Sequence, residues 1–270
     1  CKQQIAPFYM ELFNPFSLKG KHILVTGASS GIGRAIAVTC AKMGASVIAT
    51  GRNTERLRET VKLCSDPVCS CEHQPEHKFV RADLTDADDI EALVNELPEL
   101  DGLVQCAGVG SRVPCKSIGK DDLRHVFLPN LEGPILLQSA LLAKRKISRT
   151  ASIVYIASRA ANAPSMGNAA YSASKGAIIS YAKCLALELA PRLIRVNCIC
   201  PGMVWSDLIL ELGFEISQLE EAQQAYPLKR FGQPEDVAYL AVYLLSDASC
   251  WMTGSTIDIS GGGEGLLTLN

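Results

Sequence analysis

The sequence predicts an α/β fold in which a seven-stranded parallel sheet is doubly wound, with helices on both faces. Short apolar runs alternate with helical patterns along the chain, and this alternation is typical of βαβ units. A chain of 270 residues that is 48% hydrophobic can bury one large core, and α/β domains of this length are often undivided. We therefore expect one domain over residues 18–270, preceded by an N-terminal extension over residues 1–17.

Each predicted strand is a short run with apolar residues at its centre. The strands are expected at His22–Thr26, Ser46–Thr50, Lys78–Arg81, Gly102–Gln105, Ser152–Ala157, Arg195–Ile199 and Thr256–Ile259. Helical patterns lie between them, and the clearest are Ile32–Met43, Leu131–Lys146 and Asn168–Leu189. No internal repeat, low-complexity tract or linker interrupts this order.

A glycine-rich turn, Thr26-Gly-Ala-Ser-Ser-Gly-Ile-Gly33, joins the first predicted strand to the first predicted helix. Gly27 would permit a tight turn, Gly31 a close approach of the backbone, and Gly33 close packing of the helix. The helix N-terminus would offer free N–H groups to a phosphate. This context predicts a dinucleotide site, and the alternative is a glycine turn that only connects strand to helix.

Tyr171 and Lys175 form a second candidate site, because residues four apart in a helix project from one face. A neighbouring ammonium favours the phenolate, which suits a tyrosine that transfers protons. Ser158 ends an apolar run, and the ends of parallel strands present ligand groups. The three groups predict carbonyl chemistry, and the alternative for the tyrosine and lysine is an ordinary surface pair.

Together these elements resemble the short-chain dehydrogenase/reductase family in its compact form, similar to 3-oxoacyl-(acyl-carrier-protein) reductases and related carbonyl reductases. The resemblance covers roughly residues 18–262. Its further elements, in the family's order, are Ala82-Asp83-Leu84, Cys106-Ala107-Gly108, Asn130, Ile194-Arg-Val-Asn197, Pro201-Gly202, Arg230–Ala238, Ser246-Asp247 and Thr253-Gly254. It implies a Rossmann fold and an NAD(P)-dependent oxidoreductase that reversibly reduces a ketone or 3-oxo group to a secondary alcohol.

The resemblance implies a catalytic group made of Asn130, Ser158, Tyr171 and Lys175. Tyr171 would protonate the substrate carbonyl oxygen as hydride arrives from the nicotinamide, and Ser158 would hold that oxygen by a hydrogen bond. Lys175 would bind the nicotinamide ribose, and Asn130 would hold a water that relays protons. Pro129 predicts a break in the helix at this point, and the alternative for Asn130 is an ordinary kink residue.

The resemblance also implies a cofactor groove along the strand ends. Its predicted members are Gly27, Ser29, Ser30, Gly31, Ile32, Gly33, Arg52, Asn53, Asp83, Leu84, Cys106, Ala107, Gly108, Tyr171, Lys175, Pro201, Gly202, Val204 and Ser206. Gly51 stands where a carboxylate would bind the ribose hydroxyls of NAD(H), and Arg52 could form a fork with a 2′-phosphate. NADP(H) is therefore favoured over NAD(H), and the alternative for Arg52 is a solvated side chain.

An apolar segment follows the predicted nicotinamide turn and contains Trp205, Leu208, Ile209, Leu210, Leu212 and Phe214. We interpret it as a lid over an apolar ketone or acyl chain, although a core-packing helix would show the same pattern. Gln105-Cys106 departs from the two asparagines that the family usually has before Ala107-Gly108. None of the four catalytic positions is lost.

Composition and charge limit the partners. A net charge of −2 and a pI near 6.1 give no reason to expect nucleic acid or an anionic membrane. No uninterrupted apolar stretch reaches the ~18 residues of a spanning helix, and no signal-peptide layout precedes Met10, so we expect a cytoplasmic protein. The resemblance implies a homotetramer assembled through the helices Leu131–Lys146 and Asn168–Leu189, acting on a small-molecule carbonyl/alcohol substrate.

The cysteines predict no metal site. The chain has eleven cysteines, and most lie in apolar patterns where they resemble small buried hydrophobes. Cys64, Cys69, Cys71, His73 and His77 cluster in one loop without a paired Cys-x-x-Cys, so a zinc site is the weaker alternative to a solvated insertion.

Two other functional classes were weighed. A non-catalytic NADP(H)-binding sensor module would be expected to lack catalytic residues, and all four positions are present. An epimerase or dehydratase relative would share the tyrosine and lysine, but such relatives carry a larger C-terminal substrate domain. Only eight residues follow Gly262 here.

Overall fold

The computed structural model describes residues 13–65, 75–210 and 215–263. Within these ranges, seven strands form one sheet in the order β3-β2-β1-β4-β5-β6-β7. The strands are β1 (His22–Thr26), β2 (Ser46–Gly51), β3 (Lys78–Arg81), β4 (Leu100–Gln105), β5 (Ile147–Ile156), β6 (Arg195–Pro201) and β7 (Thr256–Ile259). Every neighbouring pair is parallel, which confirms the predicted fold class.

The helices follow the strands in alternation. They are α1 (Gly31–Lys42), α2 (Thr54–Cys64), α3 (Ala87–Glu96), α4 (Lys120–Phe127), α5 (Gly133–Ala143), α6 (Ala169–Leu189), α7 (Asp207–Leu210), α8 (Ile216–Gln224) and α9 (Pro234–Leu245). The predicted helices Ile32–Met43 and Asn168–Leu189 are therefore correct to within one residue at each end.

Two hydrophobic clusters cover the two faces of the sheet. On one face, Ile36 of α1 and Leu244 of α9 are fully buried against the strands. On the other face, Leu93 of α3, Leu141 of α5 and Ile178 of α6 are buried in the second cluster. Because parallel strands are apolar on both faces, this division explains why the strands read as continuous apolar runs.

The strand order reverses at β1, whose neighbours in the sheet are β2 on one side and β4 on the other. The chain passes from β1 to β2 and β3 on one side and then crosses to β4 on the other side, so a crevice opens at the carboxyl ends of β1 and β4. The glycine turn that follows β1 lies at this switch point. The topology therefore positions the predicted dinucleotide turn at the edge where open α/β sheets bind ligands.

The structure corrects several predicted boundaries, and the largest correction concerns β5. This strand begins at Ile147 rather than Ser152, because Ile147 pairs with Leu100 before the register shifts. The residues between Ile147 and Ser152 are mostly polar, so no sign of this pairing is visible in the sequence. Thr150, which lies among them, has a φ of 65° and marks the irregularity. Strands β2, β4 and β6 are longer than predicted by one or two residues.

The predicted break at Pro129 is present as a π-helical turn over Leu128–Glu132, between α4 and α5. The N–H of Gly133 donates to the carbonyl of Leu128, five residues earlier. Proline has no N–H to continue the regular pattern, so the wider turn accommodates it. As a result α5 begins at Gly133 and ends at Ala143, inside the predicted range Leu131–Lys146.

One helical run among the described residues, Lys120–Ala143, is long and apolar enough to cross a membrane by length and composition alone. It comprises α4, the π turn and α5, and Leu137 and Leu141 within it are fully buried in the core. Core helices of soluble proteins pass the same test, so a single such run is weak support for a membrane span.

The cysteine and histidine cluster falls partly outside the described residues, where Cys69, Cys71 and His73 lie. Of the other two members, Cys64 is buried in the core, and this burial raises the pKa of its thiol to about 12. Nδ1 of His77 accepts a hydrogen bond from the N–H of Val47 at 3.3 Å. Among the residues that the structure describes, no three side chains are grouped as metal ligands.

Candidate active site

The glycine turn folds tightly enough to exclude any side chain at two of its positions. A Cβ on Gly33 would lie 2.2 Å from the carbonyl oxygen of Gly27, and a Cβ on Gly27 would lie 2.9 Å from Cα of Ala107. Gly27 also has a φ of 66°, in the region that glycine favours. Ser30 caps α1 without a side-chain hydrogen bond, so it does not occupy the N–H groups of the first turn.

Thr26 ties the glycine turn to the end of β4, a role that the sequence analysis did not assign. Its Oγ1 accepts hydrogen bonds from the N–H groups of Cys106 and Ala107, both at 3.0 Å. The two strand ends on either side of the switch point are thereby held together. The crevice between them has a fixed width because a side chain, as well as the sheet, joins its walls.

Tyr171 and Lys175 lie on one face of α6, as the four-residue spacing predicts. Nζ of Lys175 is 5.8 Å from the centroid of the Tyr171 ring and donates to the carbonyl of Ile156, at the end of β5, at 2.9 Å. Lys175 is only 6% exposed. The phenol of Tyr171 and the buried amine of Lys175 therefore lie together beside the end of β5.

Ser158 lies two residues beyond β5 and begins the 3-10 turn Arg159–Ala161. Its Oγ accepts a hydrogen bond from the N–H of Ala160 at 3.1 Å. A hydroxyl has one donor and two acceptor positions, so this contact orients the oxygen and leaves its proton available. The side chain is therefore held in place while it can still donate to a substrate oxygen.

Asn130 lies behind the cavity rather than on its surface. It is 2% exposed, and its Oδ1 accepts from the N–H of Val109 at 2.8 Å. Its Nδ2 donates to the carbonyl of Val109 at 3.0 Å and to Oγ of Ser174 at 3.2 Å. The side-chain amide is therefore occupied by protein groups, and it fixes the loop after β4 to α6.

A cavity of about 550 Å³ runs along the carboxyl ends of the strands. Every predicted catalytic and cofactor residue lines it except Asn130. The sequence analysis missed several other lining residues, notably Thr26, Arg56, Arg159, Met203, Asp207 and Tyr226. Some of these residues adjoin predicted site residues in the chain, and this was their only signal in the sequence. The sheet topology, which no local pattern reveals, brings their side chains to the cavity.

The end of the cavity near β2 carries opposite charges. Burial raises the pKa of Asp83, but hydrogen bonds from Thr85 and the positive charges of Arg52 and Arg81 outweigh burial, so its pKa lies below the ordinary value. Arg52 follows Gly51 on the exposed side of the cavity wall. Asn53 next to it caps α2 by accepting from the N–H of Arg56 at 3.0 Å.

The wall after β6 is formed by the predicted nicotinamide turn and an aromatic cluster. Gly232 donates to the carbonyl of Met203 and accepts from the N–H of Trp205, both at 2.9 Å. Ile209 of the predicted lid is 4% exposed and packs with Tyr226 and other apolar residues. Leu210 is half exposed, while the Leu208 side chain, Leu212 and Phe214 fall outside the described residues. Because Ile209 both packs in this cluster and lines the cavity, the described part fits a lid as well as a core-packing helix, and the lid stays a prediction.

Comparisons with known proteins agree with this geometry. The model of the enoyl-(acyl carrier protein) reductase family matches residues 27–264. The 3-oxoacyl-(acyl-carrier-protein) reductase FabG of Rickettsia conorii is 34% identical over 91% of this chain and 97% of its own length. The L-xylulose reductase of Caenorhabditis elegans is 33% identical over 92% of this chain and 97% of its own length.

Solved structures show the same fold. A protein from Beutenbergia cavernae, assigned provisionally as an NAD(P)-dependent gluconate 5-dehydrogenase and solved with NADP at low occupancy, superposes with a TM-score of 0.81. It is 34% identical and covers 92% of this chain and 98% of its own. A short-chain dehydrogenase/reductase from Brucella melitensis superposes with a TM-score of 0.82 at 32% identity, over 92% of this chain and 98% of its own.

The chain therefore belongs to the short-chain dehydrogenase/reductase family. It is an NAD(P)-dependent oxidoreductase that acts on the CH–OH/C=O pair. The residues present fit a nicotinamide dinucleotide, because the cradle at Gly27 and Gly33 leaves no room for a Cβ. In addition, the N-terminus of α1, which receives no side-chain hydrogen bond from Ser30, opens onto the cavity.

Gly33→Ala should weaken dinucleotide binding. The added Cβ meets main-chain atoms of Gly27, which cannot rotate away, so the turn must move. Overpacking of this kind costs about 1–3 kcal/mol, which corresponds to about a fivefold to 150-fold loss of affinity when the strain falls on the turn. Titration of NADPH by fluorescence measures the change.

Gly176→Ala is the matched control, because it is also a helical glycine and a Cβ there has nothing within 4 Å. Equal affinities in the two variants would contradict the assigned role of the turn.

Proposed function

We propose that this protein is an NADPH-dependent reductase that converts a ketone or 3-oxo group to a secondary alcohol, with Tyr171 as proton donor. The observation that carries the proposal is that Ser158, Tyr171 and Lys175 line one cavity together with the glycine turn. The names of the relatives give independent support, since they include 3-oxoacyl-(acyl-carrier-protein) and L-xylulose reductases.

Two hydroxyls act on the substrate oxygen in this proposal. A nicotinamide held by Lys175 and the turn after β6 would supply hydride for the carbonyl carbon. As negative charge builds on the carbonyl oxygen, Ser158 donates a hydrogen bond to it and Tyr171 transfers its phenolic proton. The product is the neutral alcohol, and the phenolate that remains must regain a proton before the next turnover.

Lys175 and Asn130 support that proton transfer. The Lys175 ammonium stabilises the transient phenolate through its proximity to the Tyr171 ring and would bind the nicotinamide ribose. Because the Asn130 side chain is occupied by Val109 and Ser174, its proposed water would be held by main-chain carbonyls of the π turn. The Asn130 amide then acts by fixing that turn beside Lys175.

Arg52 is proposed to select NADPH. It lines the cavity directly after β2, where no carboxylate stands to bind the ribose hydroxyls or to repel a 2′-phosphate. A guanidinium can donate two parallel hydrogen bonds to a phosphate. The relative solved with NADP bound supports this preference.

Replacing Tyr171 by Phe should abolish ketone reduction while cofactor binding is retained. Loss of a positioned proton donor lowers the rate about 100-fold to 10,000-fold. Steady-state kinetics on a ketone panel, including a 3-oxoacyl thioester and the matching 2-enoyl thioester, measures turnover, and fluorescence titration measures NADPH affinity. Tyr239→Phe is the control because Tyr239 is exposed on α9. Undiminished turnover in Tyr171→Phe, or reduction of the enoyl thioester alone, would refute the mechanism.

Arg52→Ala should weaken NADPH much more than NADH. Loss of a charge-assisted hydrogen bond weakens binding about tenfold to a hundredfold, and only NADPH carries the phosphate that receives it. Dissociation constants for both cofactors test this, with Arg58→Ala as control. Arg58 lies on α2, which begins two residues after Arg52, is exposed and pairs with Glu55. A loss of equal size for both cofactors would assign Arg52 another role.

The assembly and location follow from the resemblance. We propose a single domain over residues 18–270 and a cytoplasmic homotetramer whose subunits meet through α5 and α6. Exposed apolar side chains on these helices support the contact, since Leu136 is 51% and Leu187 is 79% exposed.

Light scattering should give four times the mass of one chain, and a monomer would contradict the proposal. Leu187→Glu should dissociate the tetramer, because a charge in a buried contact is unfavourable.

A further inference from the structure

Arg159 lines the main cavity immediately after Ser158, and the reaction described above gives it no task. We propose that Arg159 is a specificity-determining residue that binds a second oxygen acceptor, a carbonyl or carboxylate, near the reacting carbonyl of the substrate. The inference rests on the proposed function and names the substrate class of that same site.

The sheet order places Arg159 at the opposite end of the cavity from Arg52. Strand β5, which leads to Ser158, is three positions from β2 in the sheet. Neighbouring strands are about 4.8 Å apart, so the two strand ends are separated by about 14 Å. The Arg159 side chain then extends further from β2, because its ion-pair partner Asp258 is on β7.

Arg159 is the one charged residue in the described part of the cavity lining that follows β5 and precedes α6. The other lining residues there include the apolar Ala160 and Ala163 and the polar Ser158, Ser165 and Asn168. The other cations that line the cavity within the described part of the chain are Arg52 and Arg56, near β2, and Lys175, which is held by a main-chain carbonyl. The substrate end therefore has a guanidinium as its distinctive charged group.

Asp258 holds that guanidinium in a fixed orientation. Nη1 of Arg159 donates to the Asp258 carboxylate, and this contact bridges the segment after β5 to β7 across the end of β6. The Arg159 side chain is only 17% exposed. Since the fork of a guanidinium is planar and rigid, fixing one nitrogen also fixes the directions of the others.

The guanidinium has unused donor capacity. Its Nε has no hydrogen-bond partner among the described residues but is shielded from solvent, so the donors that a ligand in the cavity can reach are those of the terminal nitrogens, above all Nη2. Within the guanidinium, Asp258 accepts a hydrogen bond from Nη1 only. An acceptor that arrives with the substrate would satisfy a donor that the protein leaves open.

The chemistry of the acceptor follows from these donors. A carbonyl or carboxylate oxygen receives a charge-assisted hydrogen bond from a guanidinium, whereas a methylene chain in the same position leaves the donors unpaired and desolvated. Sites built to hydrogen-bond a substrate group discriminate strongly against analogues that lack the group. The enzyme should therefore prefer ketones with a second oxygen acceptor over monofunctional ketones of equal length.

Matched substrate pairs test this preference. Ethyl 3-oxobutanoate is compared with 2-heptanone, and 4-oxopentanoate with 2-hexanone, by kcat/KM under NADPH consumption. In wild-type protein the acceptor-bearing member of at least one pair should be favoured. In Arg159→Leu, the ratio of kcat/KM within that pair should fall about tenfold to a hundredfold, the range for a lost hydrogen bond to a charged group.

Two further variants separate recognition from structure. Arg149→Leu is the matched control because Arg149 is exposed near the opposite end of β5, and its ratio should equal that of the wild type. Asp258→Asn keeps the guanidinium but removes the charge that orients it, so its ratio should lie between those of wild type and Arg159→Leu. NADPH titration shows whether each variant retains the folded cofactor site.

These experiments distinguish a failure of the proposed function from a failure of the role proposed for Arg159. If wild-type protein reduces no member of either pair and no other ketone, the proposed function fails and the inference fails with it. If wild-type protein is active but Arg159→Leu and Asp258→Asn lower kcat/KM equally for both members of each pair, Arg159 is structural and only the inference is overturned. An unchanged ratio in both variants would overturn it as well.

Discussion

The hydrogen bond from Lys175 to the carbonyl of Ile156 is the contact on which the site depends. An ammonium that is 6% exposed is expensive to bury, because the desolvation of an ion amounts to several kcal/mol even after the protein relaxes. One main-chain carbonyl at 2.9 Å offsets part of that penalty. The proposed reaction gives this costly position a function, because Lys175 lies beside Tyr171.

The same hydrogen bond links α6 to the end of β5 and so sets the relation between Tyr171 and Ser158. Tyr171 is carried by the helix and Ser158 by the segment that follows the strand. Asn130 braces the opposite side by joining the loop after β4 to Ser174 on α6. Three separate stretches of chain are thereby held around one point at the carboxyl edge of the sheet.

The sequence was sufficient to predict the elements that local chemistry determines. The apolar strand centres, the glycine turn and the four-residue spacing of Tyr171 and Lys175 all reflect short-range rules. The break at Pro129 was predicted for the same reason, since the missing N–H acts on its own helix. The start of β5 at Ile147 was missed because its pairing with Leu100 is tertiary.

Residues whose roles arise only from the assembled sheet could not be predicted. Thr26 and Arg159 are examples, since their partners Ala107 and Asp258 are distant in the chain. The hydrogen bonds of the Asn130 side-chain amide with Val109 were likewise not predicted. These contacts depend on which loops the topology brings together, and no local pattern encodes that.

A crystal structure of the protein with NADPH and an unreactive carbonyl analogue would show whether Tyr171 and Ser158 bind the substrate oxygen. If Tyr171 is the proton donor, the analogue's carbonyl oxygen will lie within about 2.6–3.2 Å of both the Tyr171 hydroxyl and Oγ of Ser158. The Lys175 ammonium will then contact the nicotinamide ribose. A carbonyl oxygen bound away from Tyr171, with other groups as its donors, would refute the proposed mechanism.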